Sequence, residues 1–171
     1  MATVESFQAF KCSSGSTTKA SFSDWALPQL DLLIDECDSL DIKVWLRHHA
    51  RYHRIPVLME TSDRGLVDIE RFDLEPQRPI FHGLVGDLHP QELSGLSTSD
   101  KIPYVLQIIG EPTMSDRARA SMLEVGQSIK TWPQLASAVT LGGGAAADVA
   151  RRMNLGTIRH SGRYWVDVEE I

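Results

Sequence analysis

The chain has 171 residues, 42% of them hydrophobic and 23% charged, with a formal net charge of −6. That length suits one ordinary domain with a core of its own, and the acidic balance excludes a general nucleic-acid binder, because phosphate binding rests on Lys and Arg. Two cysteines, Cys12 and Cys37, are too few for a disulfide framework or a four-cysteine zinc site. They point to a reducing, cytoplasmic setting. No apolar run approaches the roughly 20 residues of a membrane helix, and no basic region followed by an apolar stretch marks a signal peptide.

In chain order, residues 1–29 read as an irregular segment, with a weak strand over 1–10, a Ser/Thr/Gly-rich loop over 12–23 and a short helical turn capped by Ser23. Residues 30–35 form an apolar run ending in an acid, the pattern of a buried parallel strand. Residues 40–54 follow as a helix, because Ile42, Trp45, Leu46 and His49 repeat at i, i+3, i+4, i+7. A second strand spans 55–59, with Pro56 near its start, so 30–59 reads as a βαβ unit. After the Ser62-Asp63-Arg64-Gly65 turn, residues 66–72 alternate as a third strand. The core is therefore a β-α-β-β unit over 30–72.

Residues 73–99 hold three prolines, Pro76, Pro79 and Pro90, and read as a long irregular connection. Beyond it the pattern predicts a helix over 100–109 capped by Ser99, and one over 115–125 capped by Ser115 and ended by Gly126. A third, capped by Thr131, runs to Asn154, and a terminal strand surrounds Tyr164, Val166 and Val168. The sum is a single α/β domain with a small, mostly parallel sheet flanked by helices.

Two acids three residues apart, Asp35 and Asp38, close the first strand and open the first helix. In open α/β sheets ligands sit at the carboxyl ends of strands, where a carboxylate can hold Mg²⁺ beside phosphates. The block Asp35-Glu36-Cys37-Asp38-Ser39, followed by its helix and by Ile55-Pro56, resembles the ThiF/MoeB and ubiquitin-activating adenylyltransferase family. There a strand ending D-x-x-D-N precedes a helix and then a strand beginning I/V-P. The resemblance implies a Rossmann-like fold of which this chain is the second, C-terminal half. It gives Asp38 a part in positioning Mg-ATP, with Asp35 beside it. Lys43 stands near the place of a family Arg, and Ser39 stands where the family has Asn.

The resemblance continues through Gly65-Leu-Val-Asp-Ile-Glu-Arg-Phe72 and the small-residue helix to Asn154. The blocks 59–65 and 131–137 also look like an uncharacterised bacterial branch in which a ThiF-like domain is part of a longer polypeptide. The family's glycine-rich phosphate loop has no counterpart before Asp31, and no cysteine stands where thioester-forming members place one. The resemblance therefore implies a non-catalytic interaction or binding module or, as the alternative, part of an ATP-dependent adenylyl-transfer enzyme that takes Mg-ATP only with a partner chain. It also implies a sheet edge that a homodimer or another chain covers.

A rival reading uses Gly142-Gly143-Gly144-Ala145-Ala146-Ala147, which fits G-x-G-x-x-A. If 138–141 were a strand, Gly142 and Gly144 would lead phosphate onto a helix, with Asp167 about 23 residues on for a ribose. The more ordinary reading is a helix with small residues for close packing, which ranks NAD(P) below the other ligands. His49 and His53, at i, i+4, could share a metal, but the basic neighbours Arg47, Arg51 and Arg54 favour a plain cationic helix face. Cys37 lies between two acids, which raises a thiol's pKa and argues against a nucleophile.

Overall fold

The computed structural model describes residues 26–110, 114–125, 127–129 and 133–168. The expected strand over 1–10, the loop and cap over 12–23, Cys12, Gly126 and the Thr131 cap lie outside the described residues. The elements run β1 (Leu33–Ile34), α1 (Leu40–His53), β2 (Val57–Thr61), β3 (Leu66–Glu70), α2 (Thr98–Ile109), α3 (Asp116–Glu124), α4 (Ala136–Asn154) and β4 (Gly162–Trp165). Short 3-10 turns at Leu27–Gln29, Ile80–Gly83 and Pro90–Leu93 lie between them.

The sheet has the order β1-β2-β3-β4. Only β1 and β2 are parallel, joined across α1; β3 pairs antiparallel with β2 and β4 antiparallel with β3. The expectation of a mostly parallel sheet is thus corrected to a mixed one. The reason is local: four residues, Ser62 to Gly65, separate β2 from β3, and a tight turn can only return the chain antiparallel. Gly65 makes that turn possible. It sits at φ +56°, and a Cβ there would run into the Val166 carbonyl group beside β4.

The sheet is covered on both faces. Leu33, Val57 and Met59 pack with Leu40, Val44, Leu46 and Ala50 of α1 and with Phe72, Ile80 and Phe81 from the segment that follows β3. On the opposite face Leu58, Val67 and Ile69 pack with Ala146, Ala150 and Met153 of α4. All five residues of β3 are buried, including Asp68 and Glu70.

The 73–99 connection is better ordered than its prolines suggest. Two 3-10 turns in it carry Ile80, Phe81 and Leu93 into the core. Helix α2 begins earlier than expected, because Ser97 rather than Ser99 caps it. The Ser97 hydroxyl accepts from the Asp100 amide at 3.2 Å, while the Asp100 carboxylate takes the Ser97 amide in return. Ser115 caps α3 as expected, at 3.1 Å from the Ala118 amide. The stretch over 136–141 is helical.

Candidate functional site

The carboxyl ends of β1 and β2 gather acids on both faces of the sheet. On the α1 face, the Asp35 carboxylate is buried and accepts four contacts. They come from Arg47 Nη1 at 2.5 Å, Lys43 Nζ at 3.2 Å, the Cys37 amide at 3.2 Å and the Cys37 thiol at 2.7 Å. The two cations come from one helix: positions 43 and 47 are one turn apart, so α1 presents both to one strand end. Burial alone would raise the Asp35 pKa, but Arg47 and Lys43 hold its carboxyl well below the usual range. The Cys37 thiol is pushed up to about 12, by burial and then by Asp35, which fits its reading as a non-nucleophile.

Arg47 is fully buried and extends the network beneath the sheet. Its Nε donates to Glu70 at 2.6 Å, its guanidinium lies 3.9 Å from the Phe81 ring centroid, and Nη2 meets the Met59 sulfur at 3.4 Å. Burial opposes the arginine's charge, yet Glu70 and Asp35 raise its pKa further. Burial pushes Glu70 up as well, but Glu70 accepts two N–H groups, from Arg47 and from the Phe81 amide at 2.6 Å, and these favour the charged form.

The second acid of β3, Asp68, lies on the same face. It accepts from His82 Nε2 at 2.9 Å and from Arg163 Nε at 3.1 Å. The other His82 nitrogen, Nδ1, meets Arg78 Nη2 at 2.8 Å. A guanidinium can only donate, so Nδ1 accepts and the His82 proton sits on Nε2, aimed at Asp68. Phe81 and His82 both hold positive φ, +47° and +56°. These are strained values for non-glycine residues, sustained here by the Glu70 bond to the Phe81 amide and the Asp68 bond to the His82 ring.

The α4 face of the same strand ends is different. Glu36 and Glu60 face each other there, with the Glu60 amide donating to a Glu36 carboxylate oxygen at 3.3 Å. Glu60 lies against Gly142, where any Cβ would overlap its carboxyl group. One Glu60 oxygen, Oε1, is buried with no hydrogen-bond partner among the described residues. Burial first, and then the charge of Glu36, raises the Glu60 pKa to about 7. Glu36, although exposed as a residue, is raised too, chiefly by partial desolvation of its carboxyl group.

The predicted site residues therefore separate. Asp35 and Lys43 come together, but as an internal ion pair turned into the core. Asp38 is solvent-exposed and has no partner among the described residues. Gly142 and Gly144 lie inside α4, so their N–H groups belong to a continuing helix and do not form a strand-to-helix phosphate turn. The strand that the dinucleotide reading required is absent over 138–141, and Asp167 pairs with Arg64 at 2.5 Å instead of standing free for a ribose. Gly142 serves the close approach of Glu60. His49 packs against Trp45, with ring centroids 4.4 Å apart, and no metal-ligating cluster of three or more His, Cys, Asp or Glu exists among the described residues.

Arg47, read from the sequence as part of a cationic helix face, is instead fully buried between Asp35 and Glu70, and Asp68, Glu70, His82, Glu36 and Glu60 were missed by sequence reasoning. One signal was present for two of them. In an alternating strand, Asp68 and Glu70 share a face with Phe72, so acids stand on an apolar face and require buried partners.

Comparison with known proteins places the chain beside a longer one. An uncharacterized protein, MT1398, of Mycobacterium tuberculosis (strain CDC 1551 / Oshkosh) is 54% identical to it over 145 residues. The match takes in 85% of this chain and 20% of the relative, so the chain spans about a fifth of the length of the curated relative it matches. No known family profile matches the chain, and no solved structure matches it.

Proposed function

We propose that this chain is a non-catalytic binding or interaction module derived from a ThiF-like adenylyltransferase domain and built into a longer polypeptide. One observation carries the reading: the Asp35 carboxylate is saturated by Arg47, Lys43 and Cys37. Of the two motif acids, only Asp38 remains free to meet a ligand, and a single exposed carboxylate does not grip Mg-ATP. The β1-α1-β2 crossover, with its acids at the strand ends, supports the ThiF-like ancestry.

The sheet edge at β4 is the natural partner surface under this reading. Tyr164, Trp165, Val166 and Val168 are all exposed along it, and a homodimer or another part of the polypeptide would cover them. The free thiol of Cys37 goes with a cytoplasmic setting. No helix among the described residues is long and apolar enough to cross a membrane.

A second reading rests on the exposure of Asp38. In it the chain is part of an ATP-dependent adenylyl-transfer unit, and another segment or chain brings the phosphate loop. A thermal-shift screen with Mg-ATP, NAD and NADP separates the two. The module reading expects that any shift with the three is unchanged in Asp38→Ala. Stabilisation by Mg-ATP that disappears in Asp38→Ala would replace it with the second reading.

A further inference from the structure

At the far end of α1 from the strand-end acids lies an open cleft of about 380 Å³, lined by His48, Arg51, Tyr52, Arg54, Pro76 and Gln77. The helix has 14 residues, so about 21 Å separates its two ends. We propose that this cleft binds a small, soluble phosphate-bearing molecule, with Arg51 and Arg54 holding the phosphate. The site lies outside the motif region and does not depend on the module reading.

The argument rests on charge that has no internal use. The chain carries six more acids than bases, and eight arginines among the described residues have a carboxylate partner. Arg51 and Arg54, three residues apart, have none among the described residues, although both border one concavity. Glu75, next to Pro76 of the opposite wall, is already committed to Arg78 at 2.6 Å. A helix C-terminus attracts basic side chains, which accounts for their presence but not for a cleft walled by donors.

The lining fits an oxyanion. Two guanidiniums match the charge of a phosphate dianion and its paired oxygens. Tyr52, 81% exposed, and Gln77 add donors. Pro76 is the one apolar residue in the wall. His48 is held in place, since its Nε2 is 2.9 Å from the Leu88 carbonyl and its ring stacks on His89 at 4.8 Å. A carbonyl only accepts, so Nε2 carries a proton. A cleft of this size takes a small ligand rather than a polymer.

The test titrates the 171-residue chain with inorganic phosphate and with AMP at constant ionic strength, following Tyr52 and His48 by NMR. Saturable shifts at both residues are expected. Arg51→Gln with Arg54→Gln should weaken binding by roughly tenfold or more, since charged hydrogen bonds are the strong ones. Arg54→Gln alone should show a smaller loss, and Arg151→Gln, which alters an arginine paired with Asp148, should change nothing. Circular dichroism checks that the double variant is folded; both side chains border solvent, so a folded protein is expected, and the single variant carries the test if the double is not. Several results overturn the proposal: no saturable shift, equal affinity in the folded variants, the same shifts from matched sodium chloride, or binding of a glutamate-rich peptide in the cleft without binding of phosphate.

Discussion

Asp35 and Glu36 are adjacent in the chain and directly follow the same strand, β1, yet the sheet sends them to opposite environments. Asp35 turns to the α1 face and meets Arg47 and Lys43. Glu36 turns to the α4 face, where its neighbours are Glu60 and the backbone of a glycine. One carboxyl is held ionised and the other face carries a raised pair. The two residue types have similar ordinary pKa values, so the difference is set by what the facing helix offers: two cations one turn apart on α1, and no side chain at all at Gly142.

The comparison can be broken most severely at Arg47. Arg47→Ala leaves Asp35 and Glu70 buried without their shared cation. A loss of about 3–5 kcal/mol is expected, read as a lowered midpoint in chemical denaturation. Replacing both acids and the arginine together with apolar residues should cost far less than the single change.

The next effect is in pH. Asp35 has a folded pKa below its unfolded value, so its contribution is present above the ordinary carboxylate range and is lost as pH falls through the folded value. Asp35→Asn should flatten the acid limb of the stability curve and cost about 1–3 kcal/mol at neutral pH, because Arg47 loses a charged partner. An unchanged acid limb would mean that other carboxylates carry it.

Glu60 has the opposite sign. Its folded pKa, about 7, lies above the unfolded value, so its stabilising share is complete at acid pH and disappears as pH rises toward and through 7. Glu60→Gln should remove that decline and stabilise the protein at pH 8 by about 1 kcal/mol, allowing for solvent screening of a partly exposed group. Carbon-detected NMR titration of the carboxyl groups reads the same pair directly.

The smallest effects separate two glycines of one helix. A Cβ at Gly144 would meet open space, so Gly144→Ala should stabilise by about 0.5–1 kcal/mol through helix propensity. At Gly142 the same change must displace the Glu60 carboxyl, so most of that gain should vanish and the Glu60 pKa should fall toward its ordinary value. Equal gains at the two positions would remove the packing role assigned to Gly142.

Much of the fold is legible in the order of residues. The β1-α1-β2 crossover follows from an apolar run, a 3.6-residue periodicity and Ile55-Pro56. The tight turn ahead of β3 follows from Ser62 to Gly65, and the α3 cap from Ser115. The antiparallel direction of β3 is implicit in that same turn, since a four-residue link leaves no room for a crossover, but strand periodicity alone does not reveal it. The Ser97 cap escapes a reading by residue type, because Ser99, two residues on, is an equally good capping residue.

The sequence by itself therefore determined the local elements, the acids at the strand end and the small-residue character of α4, since these depend on neighbours within a few residues. Only the tertiary structure decided what those acids do. Whether Asp35 is a ligand or half of an ion pair depends on which helix face lies over it. That Arg47 is a core residue and Arg51 a surface one, although they stand four apart on one helix, depends on Glu70 and Phe81, more than twenty residues away. Charge is cheap to place in water and costly to bury, so a sequence can show that charges exist, while the partners that make burial tolerable are brought together only by the fold.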